Sequence, residues 1–286
     1  MSDSKTEALS GALQTIKTHA ATQPPSLSLR ETDSLAAIFG LTRRDVEIAA
    51  LEHEVLPERY RRNHGTVGWQ GQIRLLKSTV GIVGAGGLGG WIIEGLARMG
   101  VGHLIVIDGD VFEENNLNRQ AGCTEEAVGR PKAQVMAERI REVNRSTVIT
   151  AHTDWLTSDN GVALLGGSQI IVDALDSLPM RFTLQAIARE MGVPMVHGAI
   201  AGYTGQVTTI YPEDAGLASI YGPGPYPVHG IETELGNPTA TPMMAASWEL
   251  QQVVKYVIGS ERGLLRSRLL LMDAQAGETL TLDLVS

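Results

Sequence analysis

The chain has 286 residues, a length that suits one large domain or one domain with a small appendage. Its 43% hydrophobic and 19% charged residues exclude a disordered or collagen-like chain. With 23 Lys and Arg against 32 Asp and Glu, the net charge of −9 argues against a nucleic acid or an anionic membrane as partner.

The first elements read as helical. Residues 5–20 place Ala8, Leu9, Leu13 and Ile16 at roughly helical spacing. The paired prolines of residues 22–26 read as a linker. Residues 31–39 and 43–55 read as two short helices. The second opens on Thr42 with Asp45 three residues later, a capping-box pattern, and Pro57 closes it. Residues 1–57 are expected to form a helical appendage on a domain running from 58 to 286.

At residue 79 the character changes. Residues 79–86, 103–108, 148–150, 169–175, 194–200 and 205–212 read as strands, several of them continuous apolar runs of the kind buried in parallel sheets. Residues 88–99, 131–143 and 180–191 read as helices between them. Such alternation implies βαβ units and a mostly parallel, Rossmann-like doubly wound α/β sheet. Residues 213–241 are rich in Gly and Pro and read as a long loop, a length usually reserved for function. A helix over 243–258 follows. Residues 264–284 read as two antiparallel closing strands around Ala276-Gly277.

Three groups of residues carry chemistry. Gly84, Gly86 and Gly89 form G-x-G-x-x-G, with Gly87 beside them, between a strand and a helix. Glycines there permit a tight turn and let backbone N–H groups approach phosphate at the helix N-terminus. Asp108 ends the next strand, where a carboxylate holds a ribose hydroxyl. Together they imply a ribonucleotide, NAD or ATP alike; a bare tight turn is the plain alternative. Next, Arg119 and Lys132 lie beyond the second strand, where a triphosphate needs cations and a redox nucleotide has no general need of them; two surface cations near a helix start are the plain alternative. Finally, Asp173 and Asp176 end a predicted parallel strand, at the edge where open α/β sheets bind ligands. A carboxylate there can hold Mg²⁺ bridging phosphate oxygens, and Asp176 as a helix N-cap is the plain alternative.

Taken in order, residues 81–120, 129–133, 170–177 and 197–212 resemble the ubiquitin-activating-enzyme-like adenylyltransferases, whose bacterial members activate the sulfur carriers of molybdopterin and thiamin synthesis. The resemblance spans residues 58–258. It implies that Gly84, Gly86, Gly87 and Gly89 line ATP and that Asp108 takes the ribose. Asn116, Arg119 and Lys132 would hold the phosphates with Gln120 beside them, and Asp176 would coordinate Mg²⁺. Arg62, in a stretch where the family carries R-Y-x-R-Q, would reach from the partner subunit of a homodimer onto the γ-phosphate. Asn63 stands here in place of the family's Gln. The implied partner is a small ubiquitin-fold carrier ending in Gly-Gly. Its carboxylate would attack the α-phosphate and release pyrophosphate.

The chain also departs from that pattern. Many relatives hold zinc with two C-x-x-C pairs, whereas Cys123 is the single cysteine here, so no zinc site of that kind is expected. Many carry an acceptor cysteine before the last core helix. Residues 236–242 here offer only the hydroxyls of Thr239 and Thr241, so the chemistry is expected to stop at the acyl-adenylate without an enzyme thioester. A separate sulfide, persulfide or amine would complete the transfer. Cys123 and His197 read as packing residues. His229, Tyr203, Tyr221 and Tyr226 are candidates to meet an incoming tail. One thiol, no leader-like N-terminus and no long apolar run point to the cytoplasm.

Three other readings compete. The same fold could activate a carboxylate on a modified tRNA base or another small substrate, although a net charge of −9 disfavours RNA. Residues 33–52 have a helix-turn-helix look around Gly40, but the second helix carries Asp45, Glu47 and Glu52 where DNA binding needs cations. An NAD-dependent oxidoreductase would leave Arg119, Lys132 and Asp176 unexplained.

Overall fold

A computed structural model describes residues 3–20, 23–227 and 230–284. In chain order the elements are α1 (Asp3–His19), β1 (Ser26–Leu27), α2 (Leu29–Phe39), α3 (Arg43–Glu52), β2 (Leu56–Pro57), α4 (His64–Lys77), β3 (Thr79–Val83) and α5 (Gly89–Met99). Then come β4 (His103–Ile107), α6 (Lys132–Val143), β5 (Val148–His152), α7 (Gly161–Leu164), β6 (Ile170–Asp173), α8 (Leu178–Met191), β7 (Met195–Ala201) and β8 (Thr204–Ile210). The chain closes with α9 (Ala218–Tyr221), α10 (Glu232–Leu235), α11 (Ala240–Ile258), β9 (Arg268–Asp273) and β10 (Glu278–Asp283).

The main sheet has eight strands in the order β10-β9-β8-β7-β6-β3-β4-β5. The five strands from β7 to β5 are parallel, and β8, β9 and β10 add antiparallel to that edge. This is the doubly wound sheet with antiparallel closing strands that the alternating pattern predicts. After β5 the chain crosses back to β6 on the other side of β3. That reversal makes a switch point, and a crevice opens outside the carboxyl ends of β3 and β6.

The central strands β3, β4 and β6 are largely apolar and buried because helices cover both faces. On one face Val80, Ile82, Leu104, Val106 and Val172 pack with Ile92, Leu96 and Val253. On the other, Val83, Ile107, Ile171 and Met195 pack with Leu184 and Ile187 of α8.

The N-terminal helices have a core of their own, with Leu9, Leu13, Leu27, Leu35, Val46 and Ala50 buried together. Ser28 and Thr42 each close a capping box, with Glu31 and Asp45 respectively, which fixes where α2 and α3 begin. This appendage is seated firmly. Leu51 and Leu56 share a buried cluster with Tyr60, Ile73 and Leu76, so apolar packing runs across residue 57. Glu47, almost fully buried, pairs with Arg59 at 3.6 Å and accepts the Tyr60 hydroxyl at 3.2 Å. Burial pushes the Glu47 carboxyl above its ordinary pKa, and Arg59 opposes that shift.

Several local expectations change. Gln23–Ser26, read as linker, leads into β1, which pairs in parallel with β2. Thr22 lies outside the described residues. The helix ending near Pro57 stops at Glu52, and Leu56-Pro57 is instead an edge strand, a place where a missing N–H is tolerated. Helix α4 has no counterpart in the sequence reading, because Gly65, Gly68 and Gly71 mask its periodicity; at Gly68 the backbone turns non-helical. The segment 213–241 holds the short helices α9 and α10. Among the described residues no helix is long and apolar enough to cross a membrane.

Candidate functional site

Strand β3 ends at Val83, and the next residue must turn sharply over the sheet edge. Gly84 does so with φ 96°, and a Cβ there would lie 2.5 Å from the Ala174 carbonyl oxygen. At Gly89 a Cβ would lie 1.8 Å from the Gly84 oxygen, so the turn closes on itself only with glycine. Gly86 and Gly87 are different. A Cβ at either would meet nothing nearer than 3.6 Å, and both face an open cavity of about 830 Å³. A side chain there would protrude into space that the backbone now leaves for a ligand.

That cavity gathers most of the residues singled out from the sequence. Gly84, Gly86, Gly87 and Asp108 line it, and so do Arg119, Gln120, Lys132 and Asp176. Asp108, at the end of β4, accepts the Ala85 N–H at 2.6 Å and the Asp110 N–H at 2.8 Å. The carboxylate thus braces the glycine turn from below. Burial pushes its pKa up, and the backbone N–H bonds oppose the shift. Lys132, at the start of α6, is buried, and its ammonium sits 3.0 Å from Asp110 Oδ2. Arg119 donates to the Asn115 carbonyl and to Asn118 Oδ1, both at 2.9 Å. Gln120 is buried, with its Nε2 donor nearest Gly86 and its Oε1 without a partner. The Nε2 donor beside a glycine turn and two cations fits a phosphate chain, whereas the Oε1 acceptor would have to meet a donor.

Three predicted residues stand elsewhere. Gly89 packs the base of the turn and does not line the cavity. Asn116 is buried but turned inward: its Oδ1 accepts the Glu113 N–H at 3.0 Å, closing a short 3₁₀ turn over Glu114–Asn116. Arg62 is exposed between Tyr60 and α4 and is not among the residues lining the cavity. Asp176 is exposed at the cavity, and Ser177, not Asp176, holds the N-cap position of α8. Among the described residues no three His, Cys, Asp or Glu side chains come together as a metal cage. Asp176 alone still fits Mg²⁺ when phosphate supplies the other ligands, because that ion commonly takes one or two carboxylates and keeps its waters.

The cavity also contains residues that the sequence reading missed. Trp155, on the loop after β5, lies against Gly109, where a Cβ would come within 2.7 Å of the ring. Arg181 and Gln206 line the far end beside Tyr221, which the sequence offers as a candidate to meet a tail. Arg181 follows Asp176 by five positions on the first turn of α8, a spacing that could have flagged it. Gln206 carries no such signal, because only the β7–β8 pairing brings it there. His197 is a satisfied buried histidine, as read, on Asp173 and Tyr221. Tyr226 stacks on Phe182 with ring centroids 4.2 Å apart, and Tyr203 is exposed. His229 lies outside the described residues. Cys123 does not line the cavity and sits with its sulfur 3.7 Å from the Glu113 carbonyl.

One continuous cavity therefore has two chemically different ends. The glycine turn, Asp108, Arg119 and Lys132 suit a ribonucleoside triphosphate. Past Asp176 the cavity continues as a slot bordered by β7, β8 and the 213–241 segment, where the small residues Ala199, Ala201, Gly205 and Gly230 alternate with larger ones such as Ile200, Gln206, Tyr221 and Ile231.

Comparison with known proteins agrees with this geometry. The chain is 40% identical over 161 residues to the SAMP-activating enzyme E1 of Haloferax volcanii, a match covering 56% of this chain and 60% of that relative. It is 34% identical over 215 residues to the sulfur carrier protein adenylyltransferase of Thermus thermophilus, covering 73% of this chain and 79% of that one. The crystal structure of E. coli MccB with ATP superposes with a TM-score of 0.69 at 18% identity, over 79% of this chain and 72% of that chain, which shows a shared fold. The ThiF family matches residues 60–284. Together with the glycine turn and the cations gathered at the carboxyl ends of β3 and β6, that match shows that this chain belongs to the ThiF family.

Proposed function

We propose that this chain is an ATP-dependent adenylyltransferase that activates the C-terminal carboxylate of a small ubiquitin-fold sulfur carrier. The observation that carries this reading is one continuous cavity that holds the glycine turn, Asp108, Arg119 and Lys132 together with Asp176 and extends beyond it along β7, β8 and the 213–241 segment. A Gly-Gly tail could run past Ala199, Ala201, Gly205 and Gly230 because it needs no side-chain pockets. The names of the Haloferax and Thermus relatives support the same chemistry.

In the proposed reaction a tail carboxylate oxygen attacks the α-phosphorus of ATP. An acyl–phosphate bond forms, the bond to the β-phosphate oxygen breaks, and pyrophosphate leaves. The carboxylate is already ionised at neutral pH, so no general base is required. The protein contributes positioning and charge. Backbone N–H groups of the glycine turn and the α5 N-terminus bind the phosphates. Lys132 exchanges Asp110 for phosphate, and Arg119 turns from its carbonyl partner to do the same. Gln120 donates from Nε2, and Asp108 orients the ribose. Asp176, together with phosphate oxygens, would hold Mg²⁺, whose charge would offset that of the leaving pyrophosphate. Arg62, exposed and outside its own cavity, acts in trans in a C2 homodimer.

On this reading the chemistry stops at the acyl-adenylate. Cys123 is not among the residues lining the cavity, and the hydroxyls before α11 are engaged: Thr239 donates to the Asn118 carbonyl and the buried Thr241 to the Gly202 carbonyl at 2.7 Å.

ATP–pyrophosphate exchange tests the reading. Exchange that requires a Gly-Gly-ending carrier supports it. Measurable ATP binding without exchange with any carrier would overturn it in favour of a non-protein carboxylate. Mixing subunits of Arg62→Ala with subunits of Lys132→Ala tests the dimer: each mixed dimer holds one intact site, so random pairing restores about a quarter of wild-type activity. Two inactive parents that stay inactive when mixed would rule out action in trans.

A further inference from the structure

The far end of the cavity rests on a buried polar network that the adenylation chemistry does not use. The β3–β6 ladder ends when the Ala174 N–H bonds to the Val83 carbonyl. Beyond it the Leu175 peptide has no strand partner, yet neither of its polar groups is free. Its N–H donates to Asp173 Oδ1 at 3.1 Å. Its carbonyl accepts two N–H groups of Arg181, from Nε at 3.1 Å and Nη2 at 2.5 Å. Arg181 is 7% exposed and uses its fork on a main-chain oxygen in place of a carboxylate. Its third contact, from Nη1, goes to the Tyr221 hydroxyl at 3.3 Å.

Tyr221 is the hub. Its hydroxyl also accepts from Gln206 Nε2 at 2.5 Å and donates to His197 Nε2 at 3.0 Å. The other ring nitrogen of His197 donates to Asp173 Oδ2 at 2.7 Å. Asp173 and His197 are fully buried. Burial pulls the imidazole pKa down, so the ring is neutral and its tautomer is fixed by these two bonds. The loop is closed: Asp173, His197, Tyr221 and Arg181 return to the same peptide from both sides. The residue after that peptide is Asp176, whose carboxylate faces the cavity. Tyr221 belongs to the segment 213–241, which lines the slot opposite.

We propose that Arg181 and Tyr221 are positioning residues that lock the Leu175 peptide, aim Asp176, and tie that aim to the segment bordering the slot. Seating of a tail and placement of Asp176 are then mechanically one event. The catalytic half of this inference rests on the proposed role of Asp176; the structural half does not.

Two variants test it. Tyr221→Phe keeps the ring and removes the hub hydroxyl. Arg181→Lys keeps the charge and removes the fork. Amide hydrogen exchange of the purified, unliganded chain reads the structural half. In both variants residues 174–177 should exchange about 10-fold faster or more, while β3 keeps its protection and so certifies the fold. Exchange kinetics read the other half: kcat at saturating ATP and carrier should fall about 10-fold, with KM for ATP nearly unchanged. Unchanged protection at 174–177, or loosening confined to 213–227, would overturn the proposal, because Tyr221 would then anchor only its own segment. A fall in carrier affinity with kcat intact would overturn it equally. If the wild type shows no exchange with any carrier, the adenylation reading fails, while the protection of 174–177 still decides whether the lock exists.

Discussion

The two ends of the cavity are built in opposite ways. The nucleotide end is made of main chain, with a glycine turn at 84–89 braced by Asp108 through the Ala85 and Asp110 N–H groups. All of it falls within 27 residues, and its geometry follows from what glycine permits and other residues do not. The slot end is made of side chains. Asp173, Arg181, His197, Gln206 and Tyr221 come from five separate elements and meet only because β6, β7 and β8 lie side by side. A site made of backbone is local and is altered chiefly by adding a Cβ. A site made of side chains is dispersed and can be loosened one hydrogen bond at a time.

The largest expected effect sharpens the charge side of this contrast. Lys132→Ala should lower the rate of ATP–pyrophosphate exchange about 10²–10³-fold, by analogy with loss of one preorganised donor to a transition state. Thermal stability should barely move, because the Asp110 left behind is solvent-exposed. Equal turnover in the variant would remove Lys132 from the chemistry.

Next, Gly89→Ala should destabilise the chain by about 1–3 kcal/mol, since the new Cβ would lie 1.8 Å from a fixed carbonyl. Denaturant unfolding measures the loss and calorimetry the accompanying fall in ATP affinity. A change at Gly86 should differ. Gly86→Ala meets no atom nearer than 3.6 Å, so stability should hold while ATP affinity falls. Equal behaviour of the two variants would contradict the division of the turn into a packed base and an open cradle.

A smaller effect concerns Glu249, on the opposite face of the sheet from His197. Its carboxyl sits in the gap left by Gly198, fully buried, with both oxygens unpartnered. Burial raises its pKa well above the ordinary 4.5, and Asp173 adds to the shift. In the folded chain the group holds a proton that the unfolded chain releases. Stability must therefore fall as pH rises above about 4.5, up to the folded pKa. Glu249→Met should flatten that slope and stabilise the chain at neutral pH by about 1–2 kcal/mol. Unfolding curves at several pH values check the sign. Smallest of all, Cys123→Ser should leave exchange within about 2-fold of wild type, since the only thiol lies outside the cavity. Mass spectrometry of the enzyme with ATP and carrier should detect no covalent adduct in either form.

Legibility followed the same division. The glycine turn, Asp108, Arg119, Lys132 and Asp176 were readable because each stands at a fixed offset from a strand end. The helix α4 was not readable, since its glycines blur the apolar period while its packing against α3 and α11 holds it helical. Asn116 shows the limit of a motif. Its position in the run 115–120 suggests phosphate, yet its side chain closes a local turn. Tyr221 was noticed as a tyrosine in a long loop, but its role as the hub of a network depends on partners 24 and 40 residues away.

The sequence by itself determined the alternation of strands and helices from residue 79 on, the parallel character of the sheet, and the glycine turn with Asp108 at the next strand end, because periodicity and φ restrictions act over a few residues. Only the tertiary structure decided that the N-terminal helices share a core with residues beyond 57, that Arg62 is exposed and outside the cavity lining, and that five distant side chains are hydrogen-bonded together beside Asp176. Those outcomes depend on which strands become neighbours. Strand pairing brings together groups that lie far apart in the chain, and no local spacing records it.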